Sequence, residues 1–413
     1  MKFVSHRRGR TAVRARDAKR EARQVLRQGK AGVLILGLAA AAAIAVPASA
    51  SASTGASPVV GHVYVNDNTA GTNTIGAFNR HADGTLTPEA GSPFAAGGAG
   101  TGAGLASQGA LQISPDGRFL IAVDAGSNQI SVLRIKPGGS LMLVAHGVVS
   151  SGGTLPDSVA IHGNLVYVAN SGTGDANYTG FRLRPNGRLE PIPGSTVTLA
   201  ANAAPADVLF NGDGTKLAGT EAGPNPGGPS FIDSFTVGFD GRLTAAPGSP
   251  FPGQGIGAFS GEFRPTNPDQ LFVSNAHNAG TGTVSAFSVS GDGTLSSIGA
   301  SPFADGQTAP CWVEITHDGQ FLFTVNTASG TISAYQIAVN GALTLLPAST
   351  PAGGPTAGAV DARLSPDGGF LYVDQSKTHA VAAFAVNGGN LTPLGTSRFP
   401  LPAGAAPAGI VVS

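Results

Sequence analysis

The chain has 413 residues, with 24 basic and 24 acidic side chains, and it is rich in glycine (61) and proline (29). Residues 1–50 hold 11 of the basic and two of the acidic side chains, so residues 51–413 keep 13 and 22, a net charge near −9. This acidic balance argues against nucleic acid or anionic lipid as a partner. Cys311 is the single cysteine, which excludes a disulfide within the chain.

The N-terminal segment has the pattern of an export signal. Basic residues are concentrated in residues 1–30, a 16-residue apolar run follows at residues 31–46, and Pro47–Ala50 supplies the small residues of a cleavage site. The apolar run is shorter than the roughly 20 residues that a membrane-spanning helix needs. We predict a secretory signal peptide in residues 1–50, a flexible leader in residues 51–60 and a secreted or cell-envelope protein. An uncleaved anchor is the alternative.

From residue 61 onward, one pattern of short strands repeats about every 50 residues. In its clearest copy, residues 359–393, an apolar run leads into a Ser-Pro-Asp-Gly turn, and two further apolar runs lead to a Gly-x-Leu step. Turn residues of this kind separate the short strands of a meander. The glycines of the repeated Gly-x-Leu step are Gly84, Gly139, Gly187, Gly241, Gly293, Gly341 and Gly389. Seven such units predict an all-β protein, a seven-bladed β-propeller of four-stranded antiparallel blades in one domain, residues 61–413.

The two ends of this domain predict how the ring closes. The first unit begins at Val63–Val65 with the second strand of the pattern, and no inner strand precedes it. The last segment, Pro407–Ser413, has the pattern of an inner strand with nothing after it. We therefore predict that the C-terminal strand pairs into blade 1, which leaves no blade edge open to other strands.

The inner strands suggest one candidate site, in the central channel. The sequence has no nucleophile elbow, no His-x-x-x-His pair and no phosphate-binding loop, so a site must be assembled from several blades. Alignment of the inner strands by their turns places Glu262, Glu314 and Arg363 at one depth on three consecutive blades. Such a cluster could bind a ligand, or its charges could pair with one another in a purely structural role. The sequence leaves both interpretations open.

The mouth of the channel suggests a second group of residues. A carboxylate and an imidazole that face one another can activate water as general base and general acid. Several carboxylates at one depth could instead hold calcium, the one cofactor candidate. Exposed polar loop residues with neither role are the alternative. The candidate catalytic residues are Glu221, His277 and Arg363, and the candidate ligand-binding residues are Asp207, Asp361, Trp312, Glu262 and Glu314.

The repeated motif resembles that of a known family. The stretch Ser-Pro-Asp-Gly-Gly-Phe-Leu-Tyr-Val at residues 365–373, followed by an Asp-led loop and a Gly-x-Leu-Thr-Pro step, is similar to the seven-bladed lactonase propellers. That family includes bacterial 6-phosphogluconolactonases and fungal carboxymuconate-lactonising enzymes. Residues 114–141, 316–343 and 365–391 carry the resemblance best, and it extends over essentially all of residues 61–413. It implies a propeller fold and a lactone or carboxylic-ester hydrolase.

The resemblance covers one of four functional positions of the family. A Glu after the second strand of blade 4 is retained as Glu221. The stretch that would carry a His in blade 3 is Pro156–Ser158, and those that would carry Arg in blades 4 and 5 are Pro205–Asp207 and Asn275–His277. The loss of two arginines removes the cations that would bind a phosphate or stabilise an oxyanion. An unphosphorylated substrate is therefore expected.

Two functions follow as hypotheses. The first is hydrolysis of an unphosphorylated lactone or ester at the channel mouth, with Glu221 or His277 as general base and with Arg363 or calcium at the oxyanion. The second is a noncatalytic extracellular propeller that binds a glycan, a small molecule or an envelope protein. In either case we expect a monomer whose partner is a lactone or a carbohydrate-like ligand, with no membrane contact beyond the signal peptide.

Overall fold

The computed structural model describes residues 57–223, 228–276, 282–398 and 401–413. The predicted signal peptide lies outside the described residues, as do most of the predicted leader and His277. Ala56–Ser413 forms one compact unit. In the described ranges, no helix has the length and hydropathy that a membrane span requires.

The regular secondary structure of the described residues is β-strand, apart from one short 3-10 helix at Ala125–Ser127. The strands, in chain order, are β1 Val59–Asn66, β2 Thr74–His81, β3 Leu86–Pro88, β4 Phe94–Ala95, β5 Leu111–Ile113, β6 Phe119–Asp124, β7 Gln129–Ile135, β8 Leu141–Ser150, β9 Pro156–His162, β10 Leu165–Asn170, β11 Asn177–Leu183, β12 Leu189–Pro191, β13 Val197–Thr198, β14 Pro205–Phe210, β15 Lys216–Glu221, β16 Phe231–Val237, β17 Leu243–Ala245, β18 Phe251–Pro252, β19 Ala258–Arg264, β20 Asn267–Asn275, β21 Thr283–Val289, β22 Leu295–Ser297, β23 Phe303–Ala304, β24 Pro310–Ile315, β25 Phe321–Asn326, β26 Thr331–Ile337, β27 Leu343–Leu345, β28 Thr350–Pro351, β29 Ala359–Leu364, β30 Phe370–Gln375, β31 Ala380–Asn387, β32 Asn390–Arg398 and β33 Ile410–Val412.

These strands form seven antiparallel blades, which confirms the predicted fold class. We call the four strands of a blade a to d, from the channel outward. Blades 1 to 7 are β33-β1-β2-β3, β5-β6-β7-β8, β9-β10-β11-β12, β14-β15-β16-β17, β19-β20-β21-β22, β24-β25-β26-β27 and β29-β30-β31-β32. In five blades a two-residue strand adds to strand c: β4, β13, β18, β23 and β28. Both faces of a blade are covered by neighbouring blades, so strand b is buried along its whole length in β6, β10 and β15.

The C-terminal strand closes the ring as predicted. β33 pairs antiparallel with β1, with Val63 opposite Val412 and Val65 opposite Ile410. Glycine is required beside this closure: a Cβ atom on Gly61 would lie 1.9 Å from the Ser413 carbonyl oxygen.

Four of the seven Gly-x-Leu glycines connect neighbouring blades. Their backbone carbonyls accept hydrogen bonds from buried hydroxyl groups of the preceding blade. These bonds give partners to polar groups that are buried in the apolar interface between two blades. The four bonds of this kind are Tyr64 Oη to Gly139 O (2.9 Å), Tyr167 Oη to Gly241 O (2.7 Å), Ser234 Oγ to Gly293 O (2.6 Å) and Tyr372 Oη to Gly84 O (3.0 Å). The same turn glycine therefore ends one hairpin and anchors the blade before it.

A linker crosses the central channel. Residues 104–108, between blades 1 and 2, form the crossing linker. Its Gln108 pairs with the free edge of β24 like a strand: Val313 N donates to Gln108 Oε1 (3.1 Å), and Gln108 Nε2 donates to Val313 O (3.2 Å). Gln108 N also donates to Ala206 O on blade 4 (2.9 Å), and Trp312 Nε1 donates to Ser107 O (3.0 Å). These bonds attach the linker to two blades and divide the channel in two.

Candidate functional site

The structure separates the predicted site residues into two groups. Glu262, Glu314 and Arg363 lie in the channel and interact electrostatically, as the strand alignment predicts. Glu221 lies between blades 3 and 4, where its electrostatic neighbour is Asp233. Because His277 is outside the described residues, its predicted role as a general base stays a prediction.

In the channel, carboxylates bridge consecutive blades. Each strand a is the edge of its blade and has backbone N–H groups without a strand partner, and a carboxylate from the preceding blade accepts from one of them. The bonds are Gly261 N to Asp207 Oδ2 (3.0 Å), Leu364 N to Glu314 Oε1 (2.8 Å) and Ile410 N to Asp361 Oδ2 (3.3 Å). Glu262 accepts similarly from Ile315 N. These four acids thus hold the inner strands of blades 4 to 7 and blade 1 together.

The channel contains more acid than base. Arg363 Nη1 lies 3.3 Å from Glu314 Oε2, and its charge also reaches Glu262, Asp361 and Asp207. Burial raises the pKa of Asp207 to about 7 and raises that of Glu262 well above its ordinary range, to which the neighbouring Glu314 charge adds. The Arg363 guanidinium therefore interacts with four carboxyl groups. Because one positive charge cannot compensate four negative ones, some of these carboxyls remain protonated at neutral pH.

The crossing linker separates two cavities in the channel. The larger, about 320 Å³, is lined by Gln108, Gln112, Asp207, Glu262 and Arg363 among others, and extends to the a–b turns. The smaller, about 200 Å³, lies on the other side of the linker and is lined by Trp312, Asp361 and mostly apolar neighbours. Trp312 is 5% exposed. Its ring packs edge-on against Phe259, with 5.3 Å between the ring centroids. The predicted ligand-binding residues are thus divided between two compartments.

Glu221 belongs to a pair of carboxyl groups that hydrogen-bond to each other. It is the last residue of β15, is 4% exposed, and bonds to Asp233 on β16. Tyr178 of blade 3 donates its hydroxyl to Asp233 Oδ2 at 2.9 Å. Gly219 leaves room for this contact, since a Cβ atom there would lie 2.0 Å from Tyr178 Oη. The chain thus builds an acid pair with a buried hydroxyl donor at the b–c end of blade 4.

Four other blades, 2, 3, 5 and 6, have neutral or singly acidic pairs at this position. The last residue of strand b bonds to a hydroxyl on strand c in Asp124–Ser131, Asn275–Ser285 (2.8 Å) and Asn326–Ser333 (2.9 Å). In blade 3 Asn170 donates instead to the Asn177 amide oxygen, which also accepts from the Thr179 hydroxyl. Blade 4, by contrast, has two carboxyl groups that face each other at this position. Burial raises the pKa of both Glu221 and Asp233, and the Asp233 charge raises that of Glu221 further. The two groups therefore titrate as one unit that holds a single proton near neutral pH.

The strand alignment overlooked Asp233 and Tyr178. A signal for Asp233 does exist in the sequence. The strand c segments Thr-Val-Ser-Ala-Phe (residues 283–287) and Thr-Ile-Ser-Ala-Tyr (residues 331–335) correspond to Phe-Ile-Asp-Ser-Phe at residues 231–235, where an acid replaces the shared serine. Comparison of strands c as well as strands a would have identified the pair. Tyr178 has no such signal, because its contact depends on how two blades pack.

Calcium has no ready-made site among the described residues. Within residues 57–223, 228–276, 282–398 and 401–413, no three His, Cys, Asp or Glu side chains are grouped so that they could hold a metal ion. The channel carboxylates instead accept bonds from backbone N–H groups.

Comparison with known proteins places the chain in a family. Residues 60–198 and 264–412 match the family model described as lactonase, 7-bladed beta-propeller. The chain belongs to this lactonase family. The matched ranges leave out residues 199–263, which contain all of blade 4 and nearly all of β19. The acid pair therefore lies in the part of this lactonase-family chain that the family model does not match.

Solved structures similar to this lactonase-family chain share its fold. A protein of Bacteroides uniformis provisionally named a 6-phosphogluconolactonase is 19% identical, with 86% of this chain and 99% of that one covered and a TM-score of 0.68. A Bacteroides fragilis protein with the same provisional name is 18% identical (86% and 98% covered, TM-score 0.65). The periplasmic gluconolactonase of Pseudomonas aeruginosa is also 18% identical (85% and 98% covered, TM-score 0.65). No protein of curated function matches the sequence.

Proposed function

We propose that this propeller hydrolyses an unphosphorylated lactone or ester, with Glu221 and Asp233 as its proton-transfer pair. The observation that carries the proposal is the hydrogen bond between these two buried carboxyls, in a member of the lactonase family. Buried carboxyls that share one proton supply an acid and a base at the same pH, which is what hydrolysis needs.

The arrangement assigns different roles to the two acids. The Tyr178 hydroxyl donates to Asp233, which favours the charged form of Asp233 and leaves the shared proton on Glu221. Glu221 ends β15 beside the b–c loop, whereas Asp233 lies inside β16. Glu221 is therefore the group that contacts the substrate. Asp233 positions Glu221 and exchanges a proton with it.

Lactone hydrolysis can proceed through this pair without a net change in its protonation. As water attacks the lactone carbonyl carbon, Glu221 takes the water proton on one oxygen and passes its own proton to Asp233. When the ring C–O bond breaks, the relay reverses and Glu221 delivers a proton to the departing oxygen. The product is the open hydroxy acid, and the pair again holds one proton.

The charge around the pair supports an unphosphorylated substrate. Among the described residues, no Lys or Arg contributes to the electrostatics of either Glu221 or Asp233. Arg363, expected at the oxyanion, lies in the channel and pairs with Glu314. A phosphate would meet a net negative charge without a cation to bind it.

Turnover of a lactone panel tests the proposal. Purified protein is assayed with glucono-δ-lactone, γ-butyrolactone and 6-phosphogluconolactone, with and without calcium, against the spontaneous rate. We expect turnover of an unphosphorylated lactone that falls at least ~100-fold in Glu221→Gln. The matched control is Asp124→Asn, the equivalent strand b position of blade 2, which should retain wild-type turnover.

Two results would contradict the proposal. Turnover unchanged in Glu221→Gln would place the chemistry elsewhere in the molecule. No turnover with any of the lactones would favour the second candidate, an extracellular propeller that binds a glycan, a small molecule or an envelope protein without catalysis. The channel cavity of about 320 Å³ is the observation that favours that candidate.

The proposal includes a location and an assembly state. The basic and apolar pattern of residues 1–50 supports export to the cell exterior or envelope, where a small-molecule lactone or carbohydrate-like ligand would be met by a monomer. Fractionation of cells that express the full chain, followed by size-exclusion chromatography of the exported form, tests both points. Retention in the cytoplasm or a stable oligomer would reject them.

A further inference from the structure

We propose that the larger channel cavity binds a neutral polyhydroxylated molecule of about monosaccharide size. The proposal does not rest on the acid pair. The cavity extends to the a–b turns at Gly212 and Pro265, whereas Glu221 lies at the b–c end of its blade. Because adjacent strands run antiparallel, these are opposite ends of the ring.

The crossing linker makes the cavity a blind pocket. Gln108 lines its inner end, and both atoms of that side-chain amide are used in bonds to Val313. The walls come from the inner strands of blades 2 to 5 and 7, and the volume of about 320 Å³ lies at the lower end of the range for small-molecule sites. A propeller channel open at both ends would not retain a small ligand. This one is closed on one side.

Two residues that line this cavity each have a buried polar atom without a hydrogen-bond partner. Arg363 Nε is a donor without an acceptor, and Glu262 Oε2, on a carboxyl whose pKa is raised by burial, is also without a partner. Both residues line the cavity, and their charges interact. Buried donors and acceptors in native proteins are nearly always paired, by protein, water or ligand. A hydroxyl group can accept from Arg363 and hydrogen-bond to the Glu262 carboxyl at the same time, because a hydroxyl can act as donor or acceptor toward that carboxyl.

The charge of the pocket selects a neutral ligand. Arg363 is already paired with Glu314 at 3.3 Å and is surrounded by three further carboxyls, so it has little attraction left for an anion. The donor of Arg363 in turn disfavours an ammonium group. Phe210 and Phe263 also line the cavity and offer aromatic surface to the C–H groups of a sugar ring. A ring that carries hydroxyl groups can make both the hydrogen bonds to Arg363 and Glu262 and the apolar contacts to the two phenylalanines.

Isothermal titration of the intact protein tests this inference. The probes are D-glucose and D-galactose, with gluconate and D-glucosamine as matched acid and amine. We expect one saturable site for at least one neutral sugar, with a Kd below ~10 mM, and weaker binding of both charged analogues. Glu262→Ala, which removes the carboxyl from the cavity wall, should weaken binding at least tenfold.

A second variant keeps the test independent of the charge cluster. Ala160→Leu adds volume to the wall of the cavity without removing a polar group, and it should abolish sugar binding while the lactone turnover stays at the wild-type value. Because Ala160 is buried, the melting transition is measured alongside to show that the variant is folded. Glu221→Gln should bind sugar normally, which separates this site from the acid pair.

Three outcomes would overturn the inference. Absence of binding by both neutral sugars would mean that water alone fills the cavity. Tighter binding of gluconate or glucosamine would reject the neutral ligand class. Normal sugar binding by Ala160→Leu, with an unchanged melting temperature, would place the sugar elsewhere on the protein.

Discussion

Blades 4 and 6 fill the same position in the fold with different chemistry. In blade 6, the Asn326 amide donates to the Ser333 hydroxyl at 2.9 Å, and both groups are neutral. In blade 4, Glu221 and Asp233 occupy the corresponding positions of strands b and c. A neutral pair keeps its bond at every pH, whereas two carboxyls keep theirs only while they share a proton. Blade 6 therefore shows that a neutral pair is sufficient for the fold at this position, whereas blade 4 has two acids there.

The family comparison separates the same two blades. Blade 6 lies inside the matched range 264–412, whereas blade 4 lies in the unmatched stretch 199–263. The acid pair thus lies outside the ranges that the family model matches, although Glu221 itself stands at a position that the resemblance predicts to be functional. A pair that destabilises the fold at high pH indicates a function that compensates for it.

Conversion of blade 4 to the chemistry of blade 6 should have the largest effect. In the double variant Glu221→Asn with Asp233→Ser, lactone turnover should fall at least ~100-fold because no proton acceptor remains. The fold should survive, because this pair already occurs in blade 6. Steady-state kinetics and denaturant unfolding measure the two effects. Full turnover in a folded double variant would show that the acid pair has no role in catalysis.

The reverse change should destabilise blade 6. Asn326→Glu with Ser333→Asp places two carboxyls in a site built for a neutral pair, and should lower the free energy of unfolding by ~1–3 kcal/mol at pH 8. The loss should be smaller at pH 5, where a shared proton restores the hydrogen bond. Chemical denaturation at both pH values measures it. Equal stability at pH 8 would show that this position tolerates acids and that blade 4 is not exceptional.

The pH dependence of stability should differ between the wild type and the double variant of blade 4. A raised pKa means that the folded protein binds more protons than the unfolded chain between the two pKa values, so the free energy of unfolding falls as pH rises through that interval. Each unit by which a pKa is raised corresponds to about 1.4 kcal/mol. Because the channel acids are present in both proteins, the difference between the two curves isolates the pair. Parallel curves from pH 4 to pH 9 would contradict the raised pKa values.

The pair should also give a bell-shaped pH profile. Turnover should decline on the acid side as the pair gains a second proton and on the alkaline side as it loses the first. Tyr178→Phe removes the hydroxyl that favours charged Asp233, so the acid limb should move to higher pH with a loss of only ~3-fold at the optimum. An unchanged acid limb in this variant would show that Tyr178 has no part in the protonation of the pair.

Local sequence signals were sufficient for the framework of this protein. The Ser-Pro-Asp-Gly turns and the Gly-x-Leu steps each define a hairpin, and the missing inner strand of the first unit predicted the closure by Ile410–Val412. The depth of Glu262, Glu314 and Arg363 was also correct, since it depends only on counting residues from a turn. These predictions needed no knowledge of how the blades pack.

The remaining features depend on contacts between distant segments. Asp233 meets Glu221 through the pairing of strands b and c, and Tyr178 joins them from another blade. The crossing linker lies in a glycine-rich stretch that carries no pattern of a strand or turn, and its path is set by Gln108 and a partner 205 residues away. The sequence around Gln108 gives no indication that its side chain forms hydrogen bonds with the edge of β24 as a strand would.

The closure by β33 has a consequence for how the protein is made. The hydrogen bond between His62 N and Ser413 Oγ joins residues 351 positions apart. During synthesis from the N-terminus, blade 1 therefore remains one strand short until β33 leaves the ribosome. A chain that stops early keeps an unpaired edge, to which chaperones and proteases bind readily. Closure of the ring therefore has to wait until β33 has been synthesised and has paired with β1.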